Sequence, residues 1–309
     1  MTEQEEQKAY SMQRFEACPV CGGRSLYAFR SANIDAQALT PEDIKITDKA
    51  YGKIWALERC ADCTHVFANP RPSPDFIQSL YADIVDPTYQ EEAEGRQKNF
   101  ARILNRLEKL RPERGPLFDV GAATGILMNM AQDRGWEPEG VEPSSWAVKT
   151  AQDRYGLRVQ AGDFETSENT RDRYAAVTMI DFIEHIPDPG AALAKAVEIL
   201  RGDGILCLVT PDINSLAARL AGSRWWHYRP AHLAYFSHRS LRTALDRAGL
   251  QILRTRRYAW TFSAHYLLTR ISLLKILVKN PRLASFWSRI PIKLALGDSF
   301  EIYAVKRTS

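Results

Sequence analysis

The stretch Leu117-Phe118-Asp119-Val120-Gly121-Ala122-Ala123-Thr124-Gly125 combines a short apolar run, an acid and a turn of small residues. A pattern that predicts a helix begins directly after it, near Ile126. Because small residues let the backbone approach a ligand closely, the order strand, turn, helix predicts a binding site at the carboxyl end of the first strand of a parallel sheet. The free N–H groups at the helix N-terminus favour a carboxylate there.

Strands and helices alternate from this stretch to the end of the chain. The predicted strands are Leu117–Val120, Pro138–Val141, Leu157–Gln160, Ala175–Ile180, Ile205–Thr210, Leu250–Tyr258 and Ser299–Val305. The predicted helices are Ile126–Arg134, Ser144–Tyr155, Ala191–Leu200 and His238–Ala248, and residues 75–111 upstream also have helical spacing. Repeated βα units predict an α/β fold with a parallel sheet that helices cover on both faces.

Acids follow the next strands at positions suited to a nucleoside. Glu142 ends the second strand, 21 residues after Gly121, where an acid can accept hydrogen bonds from both ribose hydroxyls.

A dinucleotide fingerprint would need glycines at 121, 123 and 126. The chain has Ala123 and Ile126, so this fingerprint fails.

The segment Asp119–Gly125 resembles motif I of class I S-adenosylmethionine (SAM)-dependent methyltransferases, with Ala123 at the middle glycine. The resemblance covers about 117–307 and is closest to the group that contains ubiquinone-biosynthesis O-methyltransferases. It implies a Rossmann-like, seven-stranded, mostly parallel sheet with an antiparallel last strand. In that family the turn wraps the methionine part of SAM, the acid after the third strand contacts the adenine amino group, and the next residue flanks the ring. The implied SAM-binding residues are Asp119, Gly121, Ala123, Gly125, Glu142, Asp163, Phe164, Asp181 and Phe182.

Four of the five cysteines form two C-x2-C pairs, Cys18 with Cys21 and Cys60 with Cys63. Two intervening residues let both thiolates of a pair reach one tetrahedral ion, so the spacing predicts a closed, structural Zn²⁺ site. Two pairs of buried thiols are the alternative, and His65 is a conceivable substitute ligand. The cysteines with the following segment 66–72 resemble the zinc-binding leader of a subset of bacterial SAM methyltransferases, including sugar C-methyltransferases.

These patterns predict four regions. Residues 1–14 are polar and form a disordered tail, and residues 15–70 form a small zinc-binding module. The prolines of segment 69–74 cannot lie inside a helix and mark the module's end. A helical linker follows over 71–115, and the methyltransferase domain over 116–309, with a helical insertion at about 262–296.

An oxygen acceptor usually needs a base, and histidine titrates nearest neutral pH. His185, just after the fourth strand, is the first candidate for this base, and His232 is the second. His227 and His238 are further candidates. A structural role is the alternative hypothesis for each of the four. Relatives in the ubiquinone pathway bind a divalent ion such as Mg²⁺ at positions matching Asp181, Glu184 and His185. The aromatic cluster at 225–236 either lines an acceptor pocket or belongs to the core.

The sequence therefore predicts a SAM-dependent methyltransferase acting on a small molecule, by O-methylation of a sugar, quinone-like or secondary-metabolite acceptor. An RNA methyltransferase and a non-catalytic SAM-binding scaffold are the alternatives. A net charge of +4 is too low to indicate nucleic acid. No export signal or long apolar run is evident, so we expect a cytoplasmic protein without a transmembrane helix. Four interpretations are open for the basic, amphipathic stretch 265–296: a lid, a dimer contact, a peripheral membrane contact and a packed helical pair.

Overall fold

The computed structural model describes residues 12–35, 38–278 and 280–307, and its strands form four sheets. In chain order the strands are β1 (Met12–Gln13), β2 (Leu26–Arg30), β3 (Leu57–Cys60), β4 (Val66–Ala68), β5 (Arg71–Pro72), β6 (Gly115–Val120), β7 (Trp136–Glu142), β8 (Arg158–Ala161), β9 (Tyr174–Ile180), β10 (Leu200–Pro211), β11 (Ala234–Tyr235), β12 (Leu250–Arg257), β13 (Trp260–Ser263), β14 (Pro291–Leu294) and β15 (Ser299–Lys306).

The α-helices connect and cover these strands. They are α1 (Pro41–Ile44), α2 (Pro74–Ala82), α3 (Pro87–Glu91), α4 (Ala93–Leu110), α5 (Ile126–Gln132), α6 (Ser145–Tyr155), α7 (Pro189–Ile199), α8 (Leu216–Ala221), α9 (His238–Arg247), α10 (Ala264–Arg270) and α11 (Pro281–Ser288). Short 3₁₀ helices cover Gly222–Arg224 and Ser272–Val278. Among the described residues, none of the helices has the length and apolar character needed to cross a bilayer.

The central sheet has seven strands in the order β12-β15-β10-β9-β6-β7-β8. The pairs from β10 through β9, β6 and β7 to β8 are parallel, while β15 runs antiparallel to both of its neighbours. This is the Rossmann-like, mostly parallel sheet with an antiparallel last strand that the sequence predicts, and the prediction is confirmed.

Both faces of this sheet are buried under helices, as its apolar strands require. On one face Phe100, Ile103, Leu104 and Leu107 recur at helical spacing along α4 and pack with residues of β6 and β10. Helices α7 and α9 cover the other face with their own apolar stripes. The sheet is therefore fixed from both sides, and its carboxyl-end loops are held on a rigid base.

The cysteine-bearing region contributes a second sheet, of order β11-β4-β3-β2. Its edge strand β11 comes from far along the chain, with Ala234 opposite Phe67 and Tyr235 opposite Val66. Buried aromatic side chains fill the space beside this sheet, among them Trp55, Trp225 and Tyr235. The aromatic cluster at 225–236 is thus largely core, and the two predicted regions share one sheet.

The structure differs from the predicted elements in three places. The helical stretch 75–111 consists of three helices, because Asp86 caps a new helix at Pro87, accepting a hydrogen bond from the Tyr89 N–H. Met12 and Gln13 of the predicted tail pair with β5, while residues 1–11 lie outside the described residues. The 262–296 insertion is not only helical, since β13 and β14 close it as an antiparallel pair.

Candidate active site and metal centre

The turn after β6 is built from residues in the left-handed backbone region. Gly121 and Gly125 have φ of 72° and 77°, and Ala123 has 47°. A β-carbon on Gly125 would lie 2.6 Å from Leu157 Cδ1, so only glycine fits there. The turn therefore reverses tightly at the carboxyl end of β6, and the Gly121 and Ala122 N–H groups both donate to the Val141 carbonyl.

Glu142 at the end of β7 fixes this turn. Its Oε2 accepts the Ala123 N–H at 2.9 Å and its Oε1 accepts the Ser144 N–H at 2.9 Å. Burial raises the pKa of Glu142 to about 7, although both N–H groups oppose that rise. Burial likewise raises the pKa of Asp119 to about 7, against a 2.6 Å hydrogen bond from Thr178 Oγ1. The Glu142 charge adds to the rise in the pKa of Asp119, so the first two strand ends carry two buried carboxyl groups that influence each other.

The remaining predicted cofactor residues follow β8 and β9. Asp163 is half-buried and follows Gly162, whose N–H donates to the Glu142 carbonyl. Phe164 is buried in the core, with its ring centroid 6.3 Å from that of Phe182 in an edge-on contact. Phe182 in turn packs close to the Gly121 backbone. The structure therefore brings the turn, Glu142, Asp163 and Phe182 to one edge of the sheet.

Asp181 occupies the end of β9 with a left-handed φ of 49°. Burial raises its pKa to about 6, and the nearby His227, Arg96 and Arg229 charges oppose that rise. Arg96 stacks its guanidinium 3.6 Å from the centre of the Tyr89 ring, and burial raises the pKa of Tyr89 to about 12 while the Arg96 charge opposes that rise. Helix α3 thus contributes the Tyr89 ring and helix α4 the Arg96 guanidinium to the surroundings of Asp181. The strand pattern in the sequence predicts neither contribution.

The turn also carries an unsatisfied polar atom. Thr124 Oγ1 is buried and has no hydrogen-bond partner among the described residues. A buried hydroxyl without a partner is costly, so this position suits a polar ligand group. Together with a carboxylate at the second strand end, the turn fits the amino-acid and ribose parts of a nucleoside such as SAM.

The methyltransferase-domain family matches residues 91–255, just over half of the chain. The chain belongs to this family. The ubiquinone biosynthesis O-methyltransferase of Azorhizobium caulinodans is 28% identical over 142 residues, covering 43% of this chain and 54% of its own length. That of Rhodopseudomonas palustris is 27% identical over 141 residues, with the same shares. The chain spans about half the length of these curated relatives.

A solved structure shows the same fold. One chain of the complex between the Haloferax volcanii Trm112 methyltransferase activator and a methyltransferase superposes with a TM-score of 0.50 at 16% identity. The superposition covers 70% of the present chain and 93% of the other. Family and fold therefore agree that the chain contains a methyltransferase domain.

Two of the methyltransferase's candidate bases, His185 and His232, lie side by side, with ring centroids 4.6 Å apart. His185 Nδ1 lies 2.9 Å from the Tyr81 hydroxyl and 3.1 Å from the Ala231 carbonyl oxygen. Burial, with the Arg229 charge, lowers the pKa of His185 to about 3. His232 differs, because its buried Nδ1 has no hydrogen-bond partner among the described residues. Burial and the neighbouring His185 hold the pKa of His232 well below its usual value.

The other two candidate histidines differ in surroundings. His227 Nε2 lies 3.3 Å from Asp298 Oδ2, and both side chains are largely buried. Burial opposes ionisation of Asp298, but the contacts with His227, its own backbone N–H and Trp226 together outweigh it, and the pKa of Asp298 is lowered. His238 is exposed at the start of α9. Asp298 is 71 positions beyond His227, so no local sequence signal indicates the pair.

Among the described residues, the potential ligand atoms of Asp181, Glu184 and His185, the predicted magnesium ligands, do not cluster as one group. Glu184, His185 and His232 instead place one ligand atom each within 4.8 Å of one another. Glu184 Oε2 accepts from Thr210 Oγ1 at 2.9 Å, while Oε1 has no partner among the described residues. Mg²⁺ prefers an oxygen-rich, near-octahedral shell, so a group with two imidazoles does not suit it. We derive no magnesium step from these residues.

The four predicted zinc ligands do converge. Cys18 Sγ lies 3.6 Å from Cys63 Sγ, Cys21 Sγ lies 3.5 Å from Cys60 Sγ, and all four sulfurs lie within 4.8 Å. A tetrahedral ion with bonds of ~2.3 Å separates its sulfurs by ~3.8 Å, so the cluster fits Zn²⁺. His65 is fully buried against Phe236 and is not a member of this group.

A cavity of about 520 Å³ lies between α1, α3 and α10. Its wall carries basic groups (Lys45, Lys49, Lys53, His265 and Arg270), acids (Glu42, Asp43, Asp48, Glu91 and Glu92) and hydroxyls (Thr47, Thr88, Tyr266 and Thr269). Asp48 accepts a 2.8 Å hydrogen bond from Arg229 Nε, and the Arg229 charge acts on Asp181, Glu184, His185 and His232. The Asp48–Arg229 pair thus links the cavity wall to the histidine cluster.

Proposed function

We propose that the methyltransferase transfers the methyl group of SAM to a hydroxyl oxygen of a small, polar, sugar-like acceptor. The cavity beside α3 and α10 carries this proposal, because its wall is made mostly of charged and hydroxyl-bearing side chains. Such a wall offers donors and acceptors for several hydroxyls. It does not suit the apolar tail of a quinone-like compound, for which sites are predominantly hydrophobic.

The cofactor is held, in this proposal, by the turn after β6 together with the acids at the next strand ends. Gly121, Ala123 and Gly125 bring the backbone close to the amino-acid part, and Thr124 Oγ1 and Asp119 lie beside it. Glu142 accepts from the ribose hydroxyls while it stays bonded to the Ala123 N–H. Asp163 and Phe164 contact the adenine, and Asp181 and Phe182 close the methionine side.

SAM supplies an activated methyl group on a sulfonium ion. The protein's part is to hold the acceptor oxygen in line with that methyl, to exclude water and to remove the hydroxyl proton. His232 is the favoured base of the two predicted ones, because its buried Nδ1 has no hydrogen-bond partner among the described residues. His185 Nδ1 is already engaged by Tyr81 and Ala231, which suits a positioning role.

A four-thiolate zinc site completes the proposal. It is closed and structural, and it ties the two C-x2-C turns together at the end of β3. Unpaired thiols at this spacing also favour a reducing compartment, and we propose the cytoplasm.

The test combines binding and turnover. Calorimetry with S-adenosylhomocysteine measures cofactor binding, and incubation with isotope-labelled SAM and fractionated small-molecule extracts, followed by mass spectrometry, reports products. We expect label in polar, hydroxyl-rich compounds, as a methyl ether. Cofactor binding with no labelled product would favour the non-catalytic scaffold, and label found only in added RNA would favour the RNA methyltransferase.

A further inference from the structure

The segment Ile271–Leu296 differs in composition from the rest of the chain. It contains five of the 41 basic residues and none of the 37 acidic ones. It also contains a high share of Leu, Ile, Phe and Trp. We call Ile271–Leu296 the basic apolar segment.

Many of the apolar side chains described in this segment are exposed to solvent. Seven of the fifteen exposed large hydrophobic residues found among the described residues belong to it. They are Ile271, Ile276, Leu277, Leu283, Phe286, Ile292 and Leu296. Helix α11 has no buried residue at all, and its Phe286 is 56% exposed. Scattered exposed hydrophobics are ordinary, but this concentration marks a surface that meets another apolar phase.

Cations share this surface with the apolar groups. Arg282, Arg289 and Lys293 are exposed, and none of the three has an ion-pair partner among the described residues. Elsewhere, exposed basic residues such as Lys149 and Arg171 pair with a nearby acid. These three positive charges are therefore not compensated by an acid among the described residues.

We propose that the basic apolar segment docks on the surface of a bilayer that contains anionic phospholipid. Apolar side chains enter the boundary between headgroups and acyl chains, while the cations meet the lipid phosphates. A second copy of this chain is a poorer occupant, because a two-fold contact would set one acid-free, cationic face against another. An acidic protein or nucleic acid would satisfy the cations and leave Leu283 and Phe286 in water.

Docking would also orient the acceptor cavity, and this step rests on the proposed function. Helix α10 leads directly into the segment, and its His265, Thr269 and Arg270 line the cavity. Arg270 further donates to the Thr47 and Asp48 carbonyls, at 2.7 and 2.6 Å. The polar cavity is thereby joined to the docking surface by one short helix. The acceptor class that fits both is a sugar-like headgroup carried on a lipid.

The experiment is flotation of the purified full-length protein with vesicles of phosphatidylcholine alone and of phosphatidylcholine mixed with phosphatidylglycerol. We expect binding to the mixed vesicles that weakens as salt is raised, since exposed charges are screened. The triple substitution R282E, R289E and K293E should lower the partition coefficient on the order of 100-fold. The matched control K149E, R158E and R171E reverses three exposed cations outside the segment and should bind as the parent does.

A second pair of variants separates the apolar contribution. L283S with F286S should lower binding, whereas L216S with L220S, at two leucines exposed on α8, should not. Equal binding of the parent to both kinds of vesicle, or no binding to either, would overturn the proposal. So would light scattering that shows a dimer dissociated by F286S, because a second copy would then cover the segment. Calorimetry with S-adenosylhomocysteine shows, independently of vesicle binding, whether each variant is folded and still binds the cofactor. Vesicle binding without any methylated product would leave the docking surface standing while the acceptor proposal fails.

Discussion

Glu142 at the end of β7 and Ala123 in the turn after β6 are joined by a 2.9 Å hydrogen bond from the Ala123 N–H to the Glu142 carboxylate. The bond connects the acid proposed for the ribose with the turn proposed for the amino-acid part of SAM. One buried carboxylate therefore both shapes the turn and offers its remaining lone pairs to the cofactor.

Replacing Glu142 by Gln tests this double role. The E142Q variant keeps the side chain's size but loses the charge and one acceptor oxygen, so affinity for S-adenosylhomocysteine should fall about 10- to 100-fold. Calorimetry measures the change. E137Q, at an exposed position on the same strand, is the control and should bind normally. Unchanged affinity in E142Q would remove Glu142 from the cofactor site.

Asp119 should make the stability of the ligand-free protein depend on pH. Burial raises its pKa to about 7, so the native state binds one proton more than the unfolded chain between pH about 4 and 7. The free energy of unfolding therefore falls as pH rises through that window. D119N retains an acceptor for the Thr178 hydroxyl and cannot ionise. The parent's stability relative to D119N should drop by about 2 to 4 kcal/mol from pH 4 to 8. Urea unfolding of both proteins at several pH values measures this difference. A constant difference across the range would contradict the buried, protonated state.

His232 should affect turnover without affecting cofactor binding. Once an acceptor is identified, H232N should lower kcat about 10²- to 10⁴-fold, because the hydroxyl proton loses its acceptor. Affinity for S-adenosylhomocysteine should stay at the parent value. H185N should cost less and act partly through KM, since His185 is held by Tyr81 and Ala231. The exposed His238 supplies the control H238N. Full turnover by H232N would assign the proton to another group, with the His227–Asp298 pair the next one to test.

Much of the fold follows from local sequence patterns. The strands after Leu117 are short apolar runs, and the helices between them have 3.6-residue periodicity, so their order alone predicts the doubly covered sheet. The proposed cofactor residues are predictable because carboxyl ends of parallel strands meet at one edge, which places Asp119, Glu142 and Asp163 together.

The parts that could not be predicted depend on contacts between distant segments. Asp48 and Arg229 are 181 positions apart, and no periodicity relates them. The two-residue strand β11 is too short to have a pattern of its own and exists because β4 offers it an edge. An acid directly before a proline is a local signal for a new helix, and Asp86 provides it. The apolar spacing over 75–111 predicts helix throughout, so it misses this break. Contacts between segments that are distant in the sequence thus determine the part of the site proposed to bind the acceptor.

The shared strand β11 has a consequence for the proposed zinc site. Cys18, Cys60 and Cys63 are buried in the same apolar cluster as residues of the central sheet, including Phe118 and Val177. Loss of the metal should therefore destabilise the whole protein and not only its N-terminal region. We expect C60S to lose the ion, detected by elemental analysis, and to lower the midpoint of a single thermal transition seen by both near-ultraviolet and far-ultraviolet circular dichroism. C207S is the matched control, because Cys207 is buried in β10 outside the cluster of four and should retain the ion. A C60S protein with two separate transitions, the later at the parent's temperature, would show that the zinc region folds on its own. In that case the β11–β4 pairing would add little to the stability of the central sheet.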